Sequence, residues 1–322
     1  MKAIVVSRPG GPEALELTDV ADPGAPGPGH ARVKIMAAGV NFVDVYMRRG
    51  GYGVAMPFIP GREAAGVVES VGPGVTAVKL GDRVAYTAIP GGYAEGNLVQ
   101  ADRLILMPPE FSFEQGAAFP LQGMTAHYLL HEYRRLKAND VVLVHAAAGG
   151  MGLLLVQWAR HLGARVIGTV STEAKARRAR EAGAHDVILY TQKDFVAEVK
   201  RITGGHGADL IIDGVAKTTF PGDLEAVATR GHIVVYGSAS GPADPVSPNA
   251  LMSRAISVCG GTLISFIASR EDLLRRAEDV IAAIQAGWLK LSIDHVLPLA
   301  QAAEAHRLLE GRQSTGKIIL RA

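Results

Sequence analysis

Short runs of apolar residues, alternating with polar residues and closed by turn residues, dominate the first third of the chain. Residues 32–36 (RVKIM) and 65–71 (AGVVESV) are two of these runs, and their spacing predicts β-strands. Residues 41–49 carry apolar side chains at helical spacing and are followed by two glycines, which predicts a short helix between strands. Ser112 then marks a helix start. The pattern predicts a β-rich region with short helices.

From residue 140 the pattern becomes a regular alternation of strands and helices. The predicted strands are Val141–Val144, Arg165–Val170, Val187–Tyr190, Leu210–Asp213 and Ile233–Tyr236. The predicted helices are Met151–Leu162, Glu173–Ala182 and Phe195–Ile202. Alternation at this spacing predicts a parallel, doubly wound sheet with helices on both faces.

The remainder of the chain adds one apolar run and a final set of elements. The run starts at residues 255–258 and continues to Ile264 with no helix after it, which predicts an edge strand. An exposed edge invites pairing with a second copy, so the run predicts a homodimer through Ala255–Ile264. The tail is predicted to contain the helices Glu271–Ala286 and Ala300–Glu310 and the strands Ile293–Leu297 and Lys317–Leu320.

Composition narrows the class of protein. The chain has 322 residues, and 48% of them are apolar. A chain of this length is longer than one hydrophobic core usually holds, which predicts about two domains. Thirty-three Lys and Arg against 31 Asp and Glu give a net charge of +2, so a nucleic-acid partner is not expected. A single cysteine, Cys259, excludes an internal disulfide and a Cys-rich zinc cluster, and it favours the cytoplasm. The start of the chain shows no secretory signal.

One apolar stretch resembles a membrane span in length. Residues 141–156 contain only His145 as a clearly polar residue and approach the length of a bilayer crossing. Three glycines interrupt them, with strand-forming residues before the glycines and helix-forming residues after. We therefore expect a strand, a turn and a helix of a buried α/β unit, and no membrane partner.

The same glycines form a motif with chemical meaning. Ala147, Gly149 and Gly152 occupy the three glycine positions of a dinucleotide fingerprint, the first relaxed to alanine, between a predicted strand and a predicted helix. The middle glycine lets a pyrophosphate approach the backbone, the last lets helix and strand pack closely, and the first helix amides face the anion. The motif predicts binding of a nicotinamide dinucleotide; a helix-packing turn without a ligand is the alternative.

The second strand of this region bears on which dinucleotide binds. An acidic residue at its end would bind the ribose 2′-hydroxyl and repel a 2′-phosphate. The strand ends at Ser171, and Lys175 follows one turn into the next helix, where its ammonium can reach a phosphate. This favours NADPH. NADH stays open, because Glu173 is close enough to act as the acid and because the basic residues of 175–180 are typical of a solvated helix face.

Several segments together point to a known family. They are residues 139–152 (NDVVLVHAAAGGMG) with Gln157 and Arg160, and residues 38–44, 66–72, 79–84 and 316–318. The chain resembles, over nearly its whole length, the quinone oxidoreductase and zeta-crystallin branch of the medium-chain dehydrogenases and reductases. The resemblance implies an α/β fold with the active site in a cleft between two domains. These are a GroES-like β-rich catalytic domain at 1–122, completed by 265–322, and a Rossmann NADPH-binding domain at 123–264.

The resemblance also bears on metal chemistry. Zinc-dependent relatives carry a cysteine where this sequence has Asn41 and a histidine where it has Arg62. We therefore expect no metal site and no Lewis-acid polarisation of an alcohol or aldehyde. His127 and His131 are one helical turn apart, as two ligands would be, but no Glu follows His127, and we interpret the pair as ordinary packing.

An acceptor that is reduced without a metal must be easy to reduce. A quinone qualifies, because hydride arrival yields an aromatic quinolate that needs little acid catalysis, so orientation and exclusion of water suffice. The expected function is NADPH-dependent quinone reduction. Two alternatives are an NADPH-dependent reductase of enones or enoyl thioesters and a non-catalytic NADPH-binding protein of the crystallin or RNA-binding kind.

The motif and the resemblance assign residues to the cofactor and the acceptor. The expected cofactor contacts are Asn41, Tyr46, Thr125, Gly149, Gly150, Met151, Gly152, Ser171, Lys175, Tyr190, Tyr236, Gly237, Ser238 and Lys317. Asn41, Tyr46 and Tyr52 are the expected catalytic residues. Tyr52 is about equally typical of a packing residue and Lys317 of a surface lysine, while Asp44 is interpreted as a helix cap.

Replacing Lys175 with alanine tests the cofactor preference. If the Lys175 ammonium contacts the 2′-phosphate, K175A weakens NADPH binding by about tenfold or more and leaves NADH binding nearly unchanged, because only the phosphorylated cofactor loses a charge-assisted hydrogen bond. Fluorescence titration with each cofactor measures the two dissociation constants. Equal losses for NADPH and NADH would show that Lys175 does not contact the extra phosphate.

Overall fold

The computed structural model describes all 322 residues and contains fifteen β-strands and eleven α-helices. The strands are β1 (Lys2–Val5), β2 (Glu16–Asp19), β3 (His30–Val40), β4 (Glu63–Val71), β5 (Arg83–Thr87), β6 (Gly96–Gln100), β7 (Ile105–Leu106), β8 (Val141–Val144), β9 (Arg165–Val170), β10 (Asp186–Leu189), β11 (Ala208–Asp213), β12 (Val227–Val235), β13 (Ser257–Gly260), β14 (Ile293–Pro298) and β15 (Lys317–Arg321). The helices are α1 (Phe42–Arg48), α2 (Phe113–Gly116), α3 (Pro120–His131), α4 (Gly150–His161), α5 (Glu173–Glu181), α6 (Phe195–Ile202), α7 (Phe220–Ala226), α8 (Pro248–Met252), α9 (Leu263–Phe266), α10 (Arg270–Gln285) and α11 (Ala302–Glu310).

Contacts within the chain define two units. The first comprises residues 1–124, 267–282 and 291–322, and the second comprises residues 125–266 and 283–290. The catalytic and NADPH-binding roles expected of the two predicted domains stay a prediction at this point.

The first unit is built on a mainly antiparallel sheet with the strand order β14-β15-β3-β4-β5-β7. The eleven-residue strand β3 pairs with β15, β4 and β6, and only β14 and β15 run parallel. Its alternation is the one predicted for residues 32–36, since Val33 and Ile35 are buried and Lys34 is exposed. The buried side chains of β3, β4 and β5 form one apolar core with those of β15 and α11.

Side-chain caps begin two short helices of this unit at the expected places. Asn41 is the N-cap of α1, and the Asp44 carboxylate accepts a hydrogen bond from the Asn41 N–H (3.0 Å). The Ser112 hydroxyl accepts from the Gln115 N–H (3.2 Å), and the Gln115 side-chain oxygen accepts from the Ser112 N–H (2.9 Å). These reciprocal bonds satisfy amides that the first helical turn leaves without partners.

The second unit contains six parallel strands in the order β10-β9-β8-β11-β12-β13. The predicted doubly wound parallel sheet is therefore confirmed, and β8, β9 and α6 have the predicted bounds. The central strands are apolar on both faces: Leu143 and Val144, neighbours in β8 that point to opposite faces, have no exposed surface. Both faces of these strands are apolar because helices cover both sides of a parallel sheet.

Several predicted bounds of this unit differ from the structure by one or two residues, and two strands differ most. β12 begins at Val227 and ends at Val235, so Tyr236 lies outside it, and the predicted strand up to Ile264 is only Ser257–Gly260, followed by the short helix α9. β13 stops where the hydroxyl of Tyr133 donates to the Gly260 carbonyl (3.1 Å), a tertiary contact that the apolar pattern does not show. β13 pairs only with β12, so the predicted edge position is confirmed.

The histidine pair is part of an aromatic cluster. His127 and His131 stack with ring centroids 4.6 Å apart, and both meet the edge of Trp158. No three His, Cys, Asp or Glu side chains in the chain are grouped so that they could hold a metal ion. None of the eleven helices has the length and apolar character needed to cross a bilayer.

Candidate functional site

The predicted dinucleotide turn joins β8 to α4 in the second unit. Ala146 adopts a left-handed conformation (φ 51°), and the Ala147 N–H donates to the carbonyl of Thr169 in β9 (3.1 Å). Gly149 is the N-cap of α4 with extended backbone (φ −79°, ψ 171°), and the helix begins at Gly150. The strand–turn–helix context that the motif requires is therefore present.

The two glycines of the motif have different environments. A Cβ at Gly152 would overlap the carbonyl oxygen of Ala146 and lie 2.7 Å from the Ala147 carbonyl carbon, so the packing of α4 on the turn requires glycine there. A Cβ at Gly149 would meet only the Ala146 carbonyl oxygen, at 3.3 Å. Packing therefore explains Gly152 but not Gly149, and the open space beside Gly149 is what a bound pyrophosphate needs.

Amides at the start of α4 supply the electrostatic part of this site. The first bond within the helix runs from the Leu153 N–H to the Gly149 carbonyl (2.9 Å). The amides of Gly150, Met151 and Gly152 precede it, at the positive end of the helix dipole. The turn also lies where the strand order reverses, between β8 and β11, and doubly wound sheets bind nucleotides at the carboxyl ends of strands at that point. The residues present fit a dinucleotide phosphate.

Three further predicted cofactor residues lie at neighbouring strand ends or in the helix that follows one of them. Ser171 directly follows β9, and Tyr190 directly follows β10 with its N–H donating to the Val170 carbonyl (3.2 Å). Lys175 lies in the first turn of α5, and its N–H donates to the hydroxyl of the N-cap Thr172 (3.3 Å). Tyr190 is 41% exposed. The second unit therefore brings a hydroxyl, an ammonium-bearing side chain and an aromatic ring to one edge of its sheet.

The predicted turn after β12 lies beside the turn after β11. The Tyr236 N–H donates to the Asp213 carbonyl (3.0 Å), and the Tyr236 ring covers Gly214, where a Cβ would lie 2.7 Å from the ring hydroxyl. Gly237 and Ser238 continue this turn. Thr125, in α3, is buried with 6% of its surface exposed.

A buried polar network next to the glycine turn was missed by the sequence analysis. His145 Nδ1 lies 2.9 Å from the Thr169 hydroxyl, and its Nε2 lies 2.7 Å from Asp223 Oδ1. Burial lowers the pKa of His145, but the Asp223 carboxylate more than offsets this and holds that pKa above its usual value. Burial raises the pKa of Asp223 to about 6, against the attraction of His145. The network connects His145, which directly follows β8, to β9 and α7. Its only signal in the sequence was His145 itself, the one polar residue in an apolar run.

Asn41 and Lys317 lie together in the first unit, 276 residues apart in the sequence. The Lys317 ammonium donates to Asn41 Oδ1 (2.7 Å) and to Glu63 Oε2 (2.5 Å), and Asn41 Nδ2 donates to the same Glu63 oxygen (3.0 Å). Lys317 is 3% exposed. The interpretation of Lys317 as a surface lysine is therefore wrong, because its ammonium is paired inside the unit. Its contact to the cofactor stays a prediction.

Glu63 was missed by the sequence analysis. Its only local signal is a charged residue at the start of an apolar strand, next to Arg62. Arg62, at the position where zinc-dependent relatives have histidine, donates to the Ala88 carbonyl and lies 3.8 Å from the sulfur of Met47. The two positions that correspond to zinc ligands are thus engaged in hydrogen bonds within the unit.

Asp44 does more than cap α1. Its Oδ2 accepts from the Asn41 N–H (3.0 Å) and from the Tyr93 hydroxyl (3.1 Å). The side chain is fully buried, and this burial raises the pKa of Asp44 to about 6 against the hydrogen bonds from Asn41 and Tyr93. Asp44 therefore holds the backbone of Asn41, while Glu63 and Lys317 hold its side chain.

The Tyr93 hydroxyl is part of a series of hydrogen bonds in which each group donates to the next, from Arg48 to Asp44. Arg48 donates from Nη1 to His306 Nδ1 (2.9 Å), which places the proton of the neutral ring on Nε2, 3.2 Å from the Tyr93 oxygen. Burial, followed by the nearby Arg48 charge, lowers the pKa of His306 to about 3. The neutral ring therefore donates to Tyr93, and Tyr93 donates to Asp44. Arg48 is also paired with Glu310.

Tyr46 and Tyr52 lie on an aromatic surface, defined here as Phe42, Tyr46 and Tyr52. The ring centroids are 6.1 Å apart for Phe42 and Tyr46 and 6.4 Å apart for Tyr46 and Tyr52. Tyr52 is 71% exposed and has a left-handed backbone (φ 63°), which is uncommon for an aromatic residue. The packing interpretation of Tyr52 is wrong, because most of its surface faces solvent.

Alanine at Gly149 or Gly152 separates ligand binding from folding. G152A lowers the thermal midpoint by several degrees or prevents folding, because its Cβ overlaps the turn. G149A keeps a midpoint close to that of wild type but weakens NADPH binding by about tenfold or more, because its methyl group fills the space needed by a phosphate. Differential scanning fluorimetry and fluorescence titration measure the two effects. G149A with wild-type affinity would remove the phosphate assignment.

Two family models match the chain, one in its first part and one in the part that follows. An alcohol dehydrogenase GroES-like domain model matches residues 27–145, and a zinc-binding dehydrogenase model matches residues 150–279. The chain is 41% identical over 331 residues to a 2-haloacrylate reductase of Burkholderia sp, which covers 99% of this chain and 98% of the relative. It is 40% identical over 322 residues to a quinone oxidoreductase of Pseudomonas aeruginosa, with 99% of each chain covered.

The solved structures give the same result. Escherichia coli quinone oxidoreductase complexed with NADPH superposes with a TM-score of 0.97, at 37% identity and with 100% of both chains covered. The predicted GroES-like and Rossmann architecture is therefore confirmed. Identity at this level over the full length confirms the resemblance drawn from the sequence: the chain belongs to the quinone oxidoreductase family of the medium-chain dehydrogenases and reductases.

Proposed function

We propose that this protein is an NADPH-dependent quinone reductase that works without a metal. The observation that carries the proposal is the open space beside Gly149 at the N-terminus of α4, which fits the phosphates of a dinucleotide. The quinone oxidoreductase of P. aeruginosa and the NADPH complex of the E. coli enzyme support the acceptor class and the cofactor. NADPH, when bound, supplies the hydride.

The residues divide into groups by the part of the cofactor that each would hold. Gly149, Gly150, Met151 and Gly152 bind the pyrophosphate through backbone amides. Ser171, Lys175 and Tyr190 bind the adenosine 2′-phosphate. This is supported by their places: Ser171 and Tyr190 directly follow β9 and β10, and Lys175 lies in the first turn of α5, which follows β9. The residues assigned to the nicotinamide half are Asn41, Tyr46, Thr125, Tyr236, Gly237, Ser238 and Lys317.

The aromatic surface supports a planar acceptor. Aromatic rings favour offset or edge contacts at centroid distances of about 4.5 to 7 Å, and the exposed ring of Tyr52 beside Tyr46 can make such a contact with a quinone. Tyr46 and Tyr52, with Asn41, would orient the acceptor and exclude water. In well-oriented reactions, orientation can supply about 7 to 11 kcal/mol of the lowering of a barrier.

A second candidate function is reduction of a carbon–carbon double bond conjugated to a carbonyl group. The observation that favours it is the 41% identity to the Burkholderia relative named 2-haloacrylate reductase. An enone, an enoyl thioester or an unsaturated acid needs the same cofactor and the same orientation. The choice between the two functions therefore depends on the acceptor that fits beside the aromatic surface.

Steady-state assays under saturating NADPH test the acceptor class with quinones, enones and enoyl thioesters. We expect quinone turnover that a chelator does not change, because the two positions that correspond to zinc ligands are Asn41 and Arg62. Turnover of crotonyl thioesters with no turnover of any quinone would overturn the first function in favour of the second. Tight NADPH binding without turnover of any acceptor would favour the non-catalytic alternative, and activity lost to a chelator and restored by zinc would refute the metal-free mechanism.

We also propose that the protein is a cytoplasmic homodimer. The edge strand β13 supports the dimer, because it pairs with β12 and with no strand on its other side, and the single cysteine supports a reducing compartment. Sedimentation velocity at micromolar concentration is expected to show a species of twice the chain mass. A monomer at all concentrations would contradict the dimer.

A further inference from the structure

Glu63 holds a negative charge inside the first unit, where four segments meet. It is the first residue of β4 and has no exposed surface. Its Oε1 accepts from the Leu121 N–H at the start of α3 (2.6 Å), and its Oε2 accepts from Asn41 Nδ2 (3.0 Å) and the Lys317 ammonium (2.5 Å). A buried carboxylate costs several kcal/mol unless an opposite charge and hydrogen bonds compensate it. Both compensations are present here.

The backbone around Glu63 leaves room for this arrangement. A Cβ at Gly39 would overlap Glu63 Oε2 and the Ala117 carbonyl oxygen, and it would lie 2.8 Å from Cε of Lys317. The Gly39 carbonyl also accepts from Asn41 Nδ2 (3.2 Å). Glycine at this position therefore allows the carboxylate and the ammonium to approach the end of β3.

These contacts determine how the Asn41 amide is oriented. Its two N–H groups go to Glu63 and to the Gly39 carbonyl, and its oxygen faces the Lys317 ammonium. A flipped amide would place its oxygen against the carboxylate and its N–H groups against the ammonium, so both contacts would become repulsive. Asn41 can therefore offer a ligand only its oxygen, and Lys317, with three N–H groups and two used, can offer one donor.

We propose that Glu63 is a positioning residue for the reduction. It orients Asn41 Oδ1 and the remaining N–H of Lys317 toward the nicotinamide end of NADPH, and this role rests on the proposed function in that NADPH is the ligand. Glu63 itself is not catalytic, because both of its oxygens are occupied by donors from Leu121, Asn41 and Lys317.

The variant E63Q tests the proposal, because glutamine keeps the size of the side chain and removes the charge. We expect kcat with a quinone to fall about tenfold or more and the Kd for NADPH to rise about fivefold. The reason is that the hydrogen bonds from Asn41 and Lys317 lose their negatively charged acceptor. The primary isotope effect with NADPH deuterated at C4 should also increase, because hydride transfer becomes slower relative to the other steps. A purely structural role would lower the folded fraction and leave Kd and the isotope effect unchanged.

E198Q is the matched control, since Glu198, on α6, pairs with Lys193 and Arg201 and has no assigned role. It should show wild-type kcat, Kd and isotope effect. Folded E63Q with wild-type values for all three would overturn the proposal. If E63Q does not fold, the double variant E63Q/K317M, which removes both charges together and leaves neither unpaired, is compared with wild type. The kcat of the double variant should be lower than that of wild type by about tenfold or more, because the Asn41 amide has lost both charged partners; wild-type kcat and Kd for NADPH would overturn the proposal.

The wild-type measurements separate this proposal from the proposed function. If the wild-type protein binds NADPH but reduces no acceptor, only the proposed quinone reduction is refuted. The Kd of E63Q for NADPH, relative to wild type, would then decide the role of Glu63. Wild-type protein that does not bind NADPH would refute both.

Discussion

The ion pair of Glu63 and Lys317 is the interaction on which the first unit's polar cluster depends. Its two residues connect the end of β3, the start of β4, the start of α3 and the start of β15 inside the unit. Removing one partner of such a pair leaves an uncompensated charge, and for buried pairs this costs about 3 to 5 kcal/mol. The sheet order, with β3 between β15 and β4, is what allows the two charges to meet.

The second unit also pairs buried polar groups, as His145 and Asp223 show, but the start of α4 presents amides that have no acceptor within the helix. The glycine turn keeps the approach to these amides open at Gly149 and keeps the helix close to the turn at Gly152. The first unit thus holds a preorganised set of donors and acceptors, and the second leaves helix amides accessible at the glycine turn.

This arrangement supports the proposed reduction, which needs few reactive side chains. Asn41 is held at its backbone by Asp44 and at its amide by Glu63 and Lys317, so its geometry is established within the unit. Preorganised dipoles of this kind lower a barrier because they require no reorganisation during the reaction. Asp44 is in turn held by a series of hydrogen bonds that runs from Arg48 through His306 and Tyr93.

Much of the second unit was determined by the sequence itself. The strands β8 and β9, the helix α6 and the glycine turn follow from apolar runs, helical periodicity and small residues, and these signals act over a few neighbouring positions. The end of β13 and the His145 network did not follow, because Tyr133, Thr169 and Asp223 reach them from other elements. The cluster of Asn41, Glu63 and Lys317 was decided by the tertiary structure alone, since its partners lie 22, 254 and 276 residues apart. Whether a lysine is a surface residue or a buried ion-pair partner depends on which distant segments the fold brings beside it, and local sequence carries no information about that.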